Sequence, residues 1–328
     1  MSDRFIVLVS DTLSTPPDVE ENILSSIADV HVSTGKSMSE IKPLLNGVHL
    51  VLAWQELSWN QEVLENLSSC RGIVRVGVGF DNIDLDSAKK KGLIICNVPD
   101  YGTEDVADHT MALLLSQARG LRGYENEARR GKWQWKLAPS FRVTEKSLGI
   151  IGLGRIGTAV AKRAQAFGLK VYYYDPYISK VSDPTLTLVR CESLLDLAQQ
   201  SDLVSLHVPL TSQTREMINE DFFQNTREGF GLINTARGAV VEWATMKKYF
   251  KNRKLGFFAA DVLPIEPPDE KDDLIQDWKE GTEAVRDRIL ITPHCAFYSE
   301  EAFIELRTKA AQEALRILRG EEPLNRIV

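Results

Sequence analysis

Residues 147–175, SLGIIGLGRIGTAVAKRAQAFGLKVYYYD, decide the fold. Leu148 to Ile151 is a short apolar run that stops at a glycine-rich turn, Gly152-Leu153-Gly154-Arg155-Ile156-Gly157. Ile156, Ala159, Val160, Arg163, Ala164 and Phe167 then recur at three- and four-residue spacing, the period of a helix. Gly168 ends that helix, and Lys170 to Tyr174 form a second apolar run that closes on Asp175. Strand, glycine turn, helix, strand and acid, in that order, predict a βαβ unit that binds a dinucleotide.

Each part has a physical task. Gly152 allows the tight turn, Gly154 lets backbone approach a pyrophosphate, and Gly157 lets helix and strand pack closely. The unpaired N–H groups and positive dipole end of the helix then face the phosphates. Asp175 stands about 20 residues beyond Gly154, where an acid hydrogen-bonds a ribose 2′-hydroxyl. A carboxylate there repels a 2′-phosphate, so the expected cofactor is NAD(H) rather than its phosphorylated form. Glycines alone also occur in ordinary loops; both strands, the helix and the acid remove that reading.

The bulk properties fit such a domain and one more. At 328 residues the chain is long enough for two domains, and its 43% hydrophobic and 26% charged residues are those of a globular protein. A net charge of −7 argues against a nucleic-acid surface of the usual basic kind, and Arg129, Arg130 and Lys132 are too few to reverse that. Cys70, Cys96, Cys191 and Cys295 show no metal or CxxC spacing, so free thiols in a reducing compartment are expected, and no metal. The apolar run Phe5 to Val9 is far too short for a signal peptide or membrane span, which makes a cytoplasmic location the expectation.

Before the fingerprint, Phe5–Val9, Val48–Ala53, Ile73–Val76 and Leu93–Cys96 read as strands whose near-continuous apolar character suits a parallel sheet covered on both faces. Thr15-Pro16-Pro17 reads as a loop. A long helix is predicted over Thr103 to Arg119, with Thr103 as its cap and Asp105 near its positive end. A short helix, Tyr124 to Arg130, leads to Trp133 and Trp135, expected in a core or a subunit interface. After the fingerprint, Leu203–Val208, Gly231–Ile233, Gly256–Ala260 and Ile289–Ile291 are further strands, and Ser193–Gln200, Val240–Lys251 and Glu300–Arg319 are helical. The expected α/β architecture is two doubly wound parallel-sheet domains with an active-site cleft between them. Residues 1–99 plus 297–328 would form the substrate-binding domain, and 100–296 the dinucleotide-binding Rossmann domain.

Three segments each follow a predicted strand: Asn234-Thr235-Ala236-Arg237-Gly238, then Asp261 to Pro267, then Thr292-Pro293-His294. Parallel strands end on one edge of a sheet, so an arginine, a glutamate and a histidine gather on the side of the glycine turn. A guanidinium binds a carboxylate bidentately and polarises a neighbouring carbonyl. A histidine can donate a proton to an oxygen and take it back. A carboxylate on the other ring nitrogen orients it and favours its charged form. Taken singly, Arg237 reads as a surface residue, Glu266 as a solvated charge and His294 as a satisfied histidine; the three together after a dinucleotide fold do not. His207 and His109 read as structural. Cys295 adjoins His294, but neighbouring side chains on an extended stretch point apart.

The sequence resembles the D-isomer-specific 2-hydroxyacid dehydrogenase family over nearly its whole length. The matching segments are VGVGFDNID (Val76 to Asp84), NVPDYGTEDVADHTMALLL (Asn97 to Leu115), GLGRIG, HVPLTSQT (His207 to Thr214), NTARG, DVLPIEP and TPH. The resemblance implies catalytic roles for Arg237, Glu266 and His294. It places NAD contacts at the glycine turn with Arg155 and Ile156, and at Asp175, Thr214, Thr235, Ala236, Asp261, Thr103 and Pro209. It puts the substrate carboxylate on the backbone of Val78 and Gly79, a small anion nest. RVGVGFDNID, YYDPY and PHCAFYSEEA are most similar to the branch that contains the C-terminal-binding protein corepressors. That branch has a pocket-lining tryptophan where this chain has Phe297, so Phe297 is an expected substrate contact with room for an apolar tail, and Arg75 a further anion contact. Two other departures are Trp243, where an acid is common, and a longer acidic segment, Asp269 to Arg288, expected to decorate the surface.

The resemblance thus implies an NAD(H)-dependent D-2-hydroxyacid dehydrogenase, working on a small 2-oxo or 2-hydroxy acid as a homodimer joined through the Thr103 to Trp135 arm. The competing class is an NAD(H)-sensing scaffold of the corepressor kind with little turnover. The chain stops at Val328, nine residues past Arg319, without a scaffold's long tail, which tilts the expectation to the enzyme. Relatives that oxidise formate or phosphite need no apolar pocket, and Phe297 argues against both.

Overall fold

Strands that are apolar at consecutive positions can be satisfied only by cover on both faces of their sheet, because neighbouring side chains point opposite ways. The computed structural model, which describes residues 4–11, 16–181 and 183–328, contains two such sheets, one in each of two units. The units are Met1–Gly102 with Ser299–Val328, and Thr103–Tyr298. The boundaries fall after 102 and 298, against the expected 99 and 296, so Phe297 belongs to the second unit.

The first unit holds β1 (Phe5–Val9), β2 (Ala28–Val32), β3 (Leu50–Ala53), β4 (Gly72–Arg75) and β5 (Ile94–Cys96), all parallel, in the order β2-β1-β3-β4-β5. Between them run α1 (Asp18–Leu24), α2 (Met38–Ile41), α3 (Gln61–Glu65) and α4 (Leu85–Lys91), and the last helix of the chain, α12 (Glu300–Arg319), packs on α1, β3 and β4. Asn60 and Asp84 cap α3 and α4 with their side chains, and Ser299 caps α12. Arg307 on α12 is buried against Glu20 and Asp18, at 2.7 and 2.8 Å. A charge so placed persists only because its partners are within reach. Thr15, the first residue of the expected proline loop, lies outside the described residues. The strand β2 has no counterpart in the expectations. At the sheet's edge it exposes Asp29 and Val32, and so lacks the apolar run that marks an inner strand.

The second unit starts with α5 (Thr103–Ala118), in which Thr103 is the first helical residue rather than a cap outside it. Next comes α6 (Leu121–Arg129), followed by the expected βαβ unit: β6 (Ser147–Ile151), α7 (Arg155–Ala166) and β7 (Lys170–Tyr174). The remaining strands are β8 (Val189–Arg190), β9 (Leu203–Leu206), β10 (Phe230–Asn234), β11 (Leu255–Ala260) and β12 (Ile289–Ile291). They are interleaved with α8 (Leu194–Gln200), α9 (Glu220–Asn225), α10 (Trp243–Lys251) and α11 (Asp273–Glu280). All strands are parallel, in the order β12-β11-β10-β9-β6-β7-β8. Alternation sorts the strand residues onto two cores. Ile150, Ile233, Phe257 and Ala259 face one side with residues of α5 and α7; Ile151, Leu232, Phe258 and Ala260 face the other with α8, α9, α10 and α11.

One expectation is narrowed here and another corrected. Trp133 and Trp135 are 90% and 78% exposed within the chain, so neither is a core residue. The segment Asp269 to Arg288 is not surface decoration. Leu274 and Ile275 of α11 and Val285 are buried in the second core, with Trp278 packed against it. Trp243 Nε1 donates to Asp272 at 2.8 Å, and Lys247 pairs with Asp272 and Asp273, which ties α10 to α11. Arg288 stacks on Phe250 at 4.0 Å and donates to the carbonyls of Phe250, Leu255 and Gly256. The charges of this segment masked its apolar face, which recurs only at Leu274, Ile275 and Trp278. Among the described residues no helix is long and apolar enough to cross a membrane.

Leu274→Ala is expected to cost about 2–4 kcal/mol in urea unfolding, as a buried leucine does, whereas a decorative residue would cost less than about 0.5. A midpoint matching wild type would remove α11 from the core.

Candidate active site

Because the strands of the second unit are parallel, the turns after β6, β9, β10, β11 and β12 open on one edge. Since β7 flanks β6 on one side and β9 on the other, the strand order reverses at β6, where doubly wound sheets bind ligands. The glycine turn sits there. Gly152 has φ +89°, and a Cβ on it would lie 2.8 Å from the His207 carbonyl oxygen. A Cβ on Gly157 would lie 2.1 Å from the Gly152 oxygen, while one on Gly154 would meet nothing within 4 Å. The first and third glycines are thus demanded by close packing, and the second leaves open space before the start of α7. That is the shape a dinucleotide diphosphate requires, with Arg155 and Ile156 opening the helix. The Asp175 carboxylate accepts from the N–H groups of Leu153, Tyr177 and Ile178 at 2.8, 2.8 and 3.2 Å. With roughly four acceptor sites, it keeps capacity for a ribose hydroxyl.

At the ends of β11 and β12, Glu266 Oε2 lies 2.7 Å from His294 Nδ1. The carboxylate only accepts, so Nδ1 carries the proton and Nε2 is the ring nitrogen available to a ligand. Burial pushes the Glu266 carboxyl upward, but the hydrogen bond and charge of His294, the Leu263 N–H and the Arg237 charge outweigh it. The net value lies below the ordinary 4.5. Arg237 Nη1 donates to the Ala236 carbonyl at 2.8 Å, and Gly238 lets this loop approach the next one: a Cβ there would lie 2.0 Å from the Leu263 carbonyl carbon. Arg237, Glu266 and His294 therefore share one region of the strand-end edge.

The backbone around them is held by further polar side chains. Asn234 is buried and closes its loop by accepting from the Ala236 N–H and donating to the Arg237 carbonyl. Asp261 is 2% exposed, and its carboxylate accepts from Thr292 Oγ1 at 2.5 Å, Cys295 N–H at 2.9 Å and Ala296 N–H at 2.8 Å. Its carbonyl accepts from the His294 N–H at 2.8 Å. His294 sits at φ +51°, a left-handed conformation that a non-glycine residue keeps only when its surroundings impose it. Asp261 imposes it. After β9, Thr214 Oγ1 donates to the Pro209 carbonyl at 2.6 Å, which closes that loop. His207 pairs with Ser205 at 2.8 Å, and burial pushes it down to about 3, so it is neutral and structural.

Sequence reasoning treated His109 as a packed helix residue, but His109 Nε2 lies 3.0 Å from Thr292 Oγ1. The next residue, Thr110, meets Thr235 hydroxyl to hydroxyl at 2.9 Å. Their polarity at adjacent positions of an otherwise apolar helix face was the available signal. Ligand atoms of His109, Asp261 and Cys295 come within 4.8 Å of one another. Both Asp261 oxygens already accept hydrogen bonds, and burial and the Asp261 charge raise the Cys295 thiol; Thr292 links His109 to Asp261, and the Cys295 N–H closes on the same carboxylate.

In the first unit, the loop after β4 carries the expected anion contacts. Arg75 is 6% exposed and folds back to donate to the Val76 carbonyl. Its guanidinium occupies the space a Cβ on Gly77 would need, 1.9 Å away, and Gly77 has φ +147°. The Val78 carbonyl accepts from Asn97 at 2.7 Å, and the Gly77 carbonyl from Val98 N–H at 3.0 Å. Val78 is exposed, and Gly79 half-buried. Phe297 is half-buried in the second unit.

Residues 111–296 match the profile described as the NAD-binding domain of D-isomer specific 2-hydroxyacid dehydrogenases. The chain is 32% identical over 315 residues to D-3-phosphoglycerate dehydrogenase of Methanocaldococcus jannaschii, covering 96% of this chain and 58% of that protein. The Archaeoglobus fulgidus protein of the same name is 31% identical over 294 residues, covering 89% and 54%. The chain thus spans little more than half the length of these relatives. Among solved structures, a D-lactate dehydrogenase from Aquifex aeolicus complexed with NAD and lactic acid superposes with a TM-score of 0.86 at 29% identity, over 98% of this chain and 99% of that one. A D-lactate dehydrogenase from Escherichia coli gives 0.83 at 26% identity, over 99% and 100%.

The depressed Glu266 carboxyl yields a direct test. Its contribution to stability is complete above the ordinary 4.5 and is lost as pH falls through the lower folded value. In a carbon-13 titration the Glu266 midpoint is expected below 4.5, and His294→Leu is expected to raise it because burial then meets less opposition. An unmoved midpoint in the variant would disprove the coupling.

Proposed function

The chain belongs to the D-isomer specific 2-hydroxyacid dehydrogenase family, and from that premise we propose that it interconverts a small 2-oxo acid and the D-2-hydroxy acid with NAD(H). The Glu266–His294 pair at 2.7 Å, beside a turn shaped for a dinucleotide, carries the reading. Bound NADH supplies the hydride. His294 holds a proton on Nε2 for the substrate oxygen and takes it back in the reverse direction, while Glu266 fixes the ring and favours its charged form. Arg237 binds the carboxylate and polarises the carbonyl. In the first unit, the backbone N–H groups of Val78 and Gly79 and the charge of Arg75 are suited to an anion such as a substrate carboxylate, and in the second Phe297 is the proposed contact for the substrate side chain. Gly152, Gly154, Gly157, Arg155 and Ile156 hold the diphosphate, Asp175 the ribose, and Thr103, Pro209, Thr214, Thr235, Ala236 and Asp261 the rest of the cofactor.

We further propose that the protein is a homodimer joined through the Thr103 to Trp135 arm, a reading supported by the exposure of Trp133 and Trp135. Large apolar side chains this exposed on one arm mark an interaction surface. Light scattering behind size-exclusion chromatography is expected to give twice 36.8 kDa, and the monomer mass would refute the dimer.

An NADH-oxidation screen from glyoxylate and pyruvate to phenylpyruvate-like acids is expected to find turnover. On the best substrate, His294→Ala should lower kcat by roughly 10²–10⁴ with NADH affinity kept, the range of a general acid. Arg237→Lys should raise KM and lower kcat together, since an ammonium cannot hold a carboxylate and a carbonyl in one plane. Wild-type constants in either variant would take that residue out of the chemistry.

A further inference from the structure

Two consecutive residues of α5 reach two different strand-end loops. Thr110 donates to the Val106 carbonyl at 2.7 Å, which uses its only proton, so Thr235 on the arginine loop is the donor in the contact between the two hydroxyls. The same count orders the histidine side. The Asp261 carboxylate only accepts, so the single Thr292 proton goes to Asp261 at 2.5 Å. The 3.0 Å contact between His109 Nε2 and Thr292 Oγ1 therefore needs its proton from the imidazole. The result is a one-way series: His109 Nε2–H to Thr292, Thr292 O–H to Asp261, with Cys295 and Ala296 N–H closing on Asp261 from the other side. His294 lies inside that closed turn, at φ +51°, with its own N–H on the Asp261 carbonyl.

We propose that His109 is a positioning residue: by donating to Thr292 it fixes the hydroxyl rotamer that binds Asp261, and through Asp261 it sets where the His294 ring meets Glu266. Without that donor, the Thr292 hydroxyl keeps only its bond to Asp261, and the shortest of the three hydrogen bonds to the Asp261 carboxylate loses the contact that supports it. Packing alone gives no reason for histidine here, because the His109 ring is one-quarter exposed (24%) and leucine would fill an α5 face equally well. The action is on geometry, in which a misplacement of about 1 Å can cost on the order of 10²-fold in rate. The proposal rests on the reading of His294 as the proton donor, yet its structural half is testable without turnover.

The test compares His109→Leu with His109→Gln, whose amide N–H can take the place of Nε2–H. The first readout is the downfield proton resonance of His294 Nδ1–H on Glu266, assigned by its loss in Glu266→Gln. We expect the leucine variant to broaden or shift it and the glutamine variant to restore it. The second readout is steady-state kinetics, where leucine is expected to lower kcat about 10- to 100-fold, with the KM for NADH changed less than twofold, and glutamine to recover most of the loss. If His109→Leu fails to fold, Thr292→Val cuts the series at the same hydroxyl, with Thr292→Ser as its rescue. A resonance and kcat unchanged in the leucine variant would overturn the proposal, as would equal losses in leucine and glutamine. A protein with no turnover on any 2-oxo acid, but with the resonance lost in leucine and restored in glutamine, would sink the enzymatic reading and leave the positioning role standing.

Discussion

A carboxylate buried just after β11 holds in place the turn that carries His294. Asp261 could not remain there uncompensated, because a buried charge without donors is costly by several kcal/mol. Its donors are the Thr292 hydroxyl and the backbone N–H groups of Cys295 and Ala296, all from the turn that follows β12. The dependence is mutual. The turn needs an acceptor to hold His294 in its left-handed conformation, and the carboxylate needs the turn to be satisfied. Neither half is stable alone, so the two adjacent strand ends lock in a single arrangement.

The loop after β11 carries a second carboxylate with the opposite duty. Glu266 lies only five positions beyond Asp261, yet one of its oxygens faces a ring nitrogen while the other accepts the Leu263 N–H of its own loop. Its environment pulls two ways, burial against the charges of His294 and Arg237 and a backbone donor, and the stabilising side prevails. An ionised partner at Nδ1 is what a proton-donating imidazole requires, since it stabilises the ring when charged and leaves Nε2 facing outward. One carboxylate thus sets the backbone and the other sets the ring. That division explains why they cannot be exchanged although they share a loop.

The inner strands, the glycine turn and the strand-end positions of Arg237, Glu266 and His294 were legible because each leaves a local mark. Leu203–Leu206 and Leu255–Ala260 are near-continuous apolar runs, and Arg237, Glu266 and His294 each follow such a run within a few residues. The edge strand β2 was not legible, because its outer residues meet water. Nor was α11, whose acidic surface outnumbers its buried residues Leu274 and Ile275. His109 was hidden for another reason. A helical histidine takes its meaning from what lies across the gap, and Thr292 is separated from it by 183 positions. The Trp133 and Trp135 side chains were read from residue type alone, and type says that a tryptophan seeks cover without saying whose.

The glycine turn and the reactive loops are governed by different constraints, and this sets what each can reveal. At Gly152 and Gly157 the constraint is steric: a single added carbon would overlap a backbone oxygen, so no compensating change elsewhere can rescue it. Such a requirement is written as residue identity at fixed spacing. At His294 the constraint is a network of donors and acceptors, which several residue types could satisfy and which only a folded chain assembles. A serine could replace Thr292, or an amide replace the His109 ring, and still keep the donors pointed at Asp261. The turn is therefore legible from residue identity together with the strands, helix and acid around it, while the network beside it depends on how far α5, β11 and β12 can be displaced before their hydrogen bonds part.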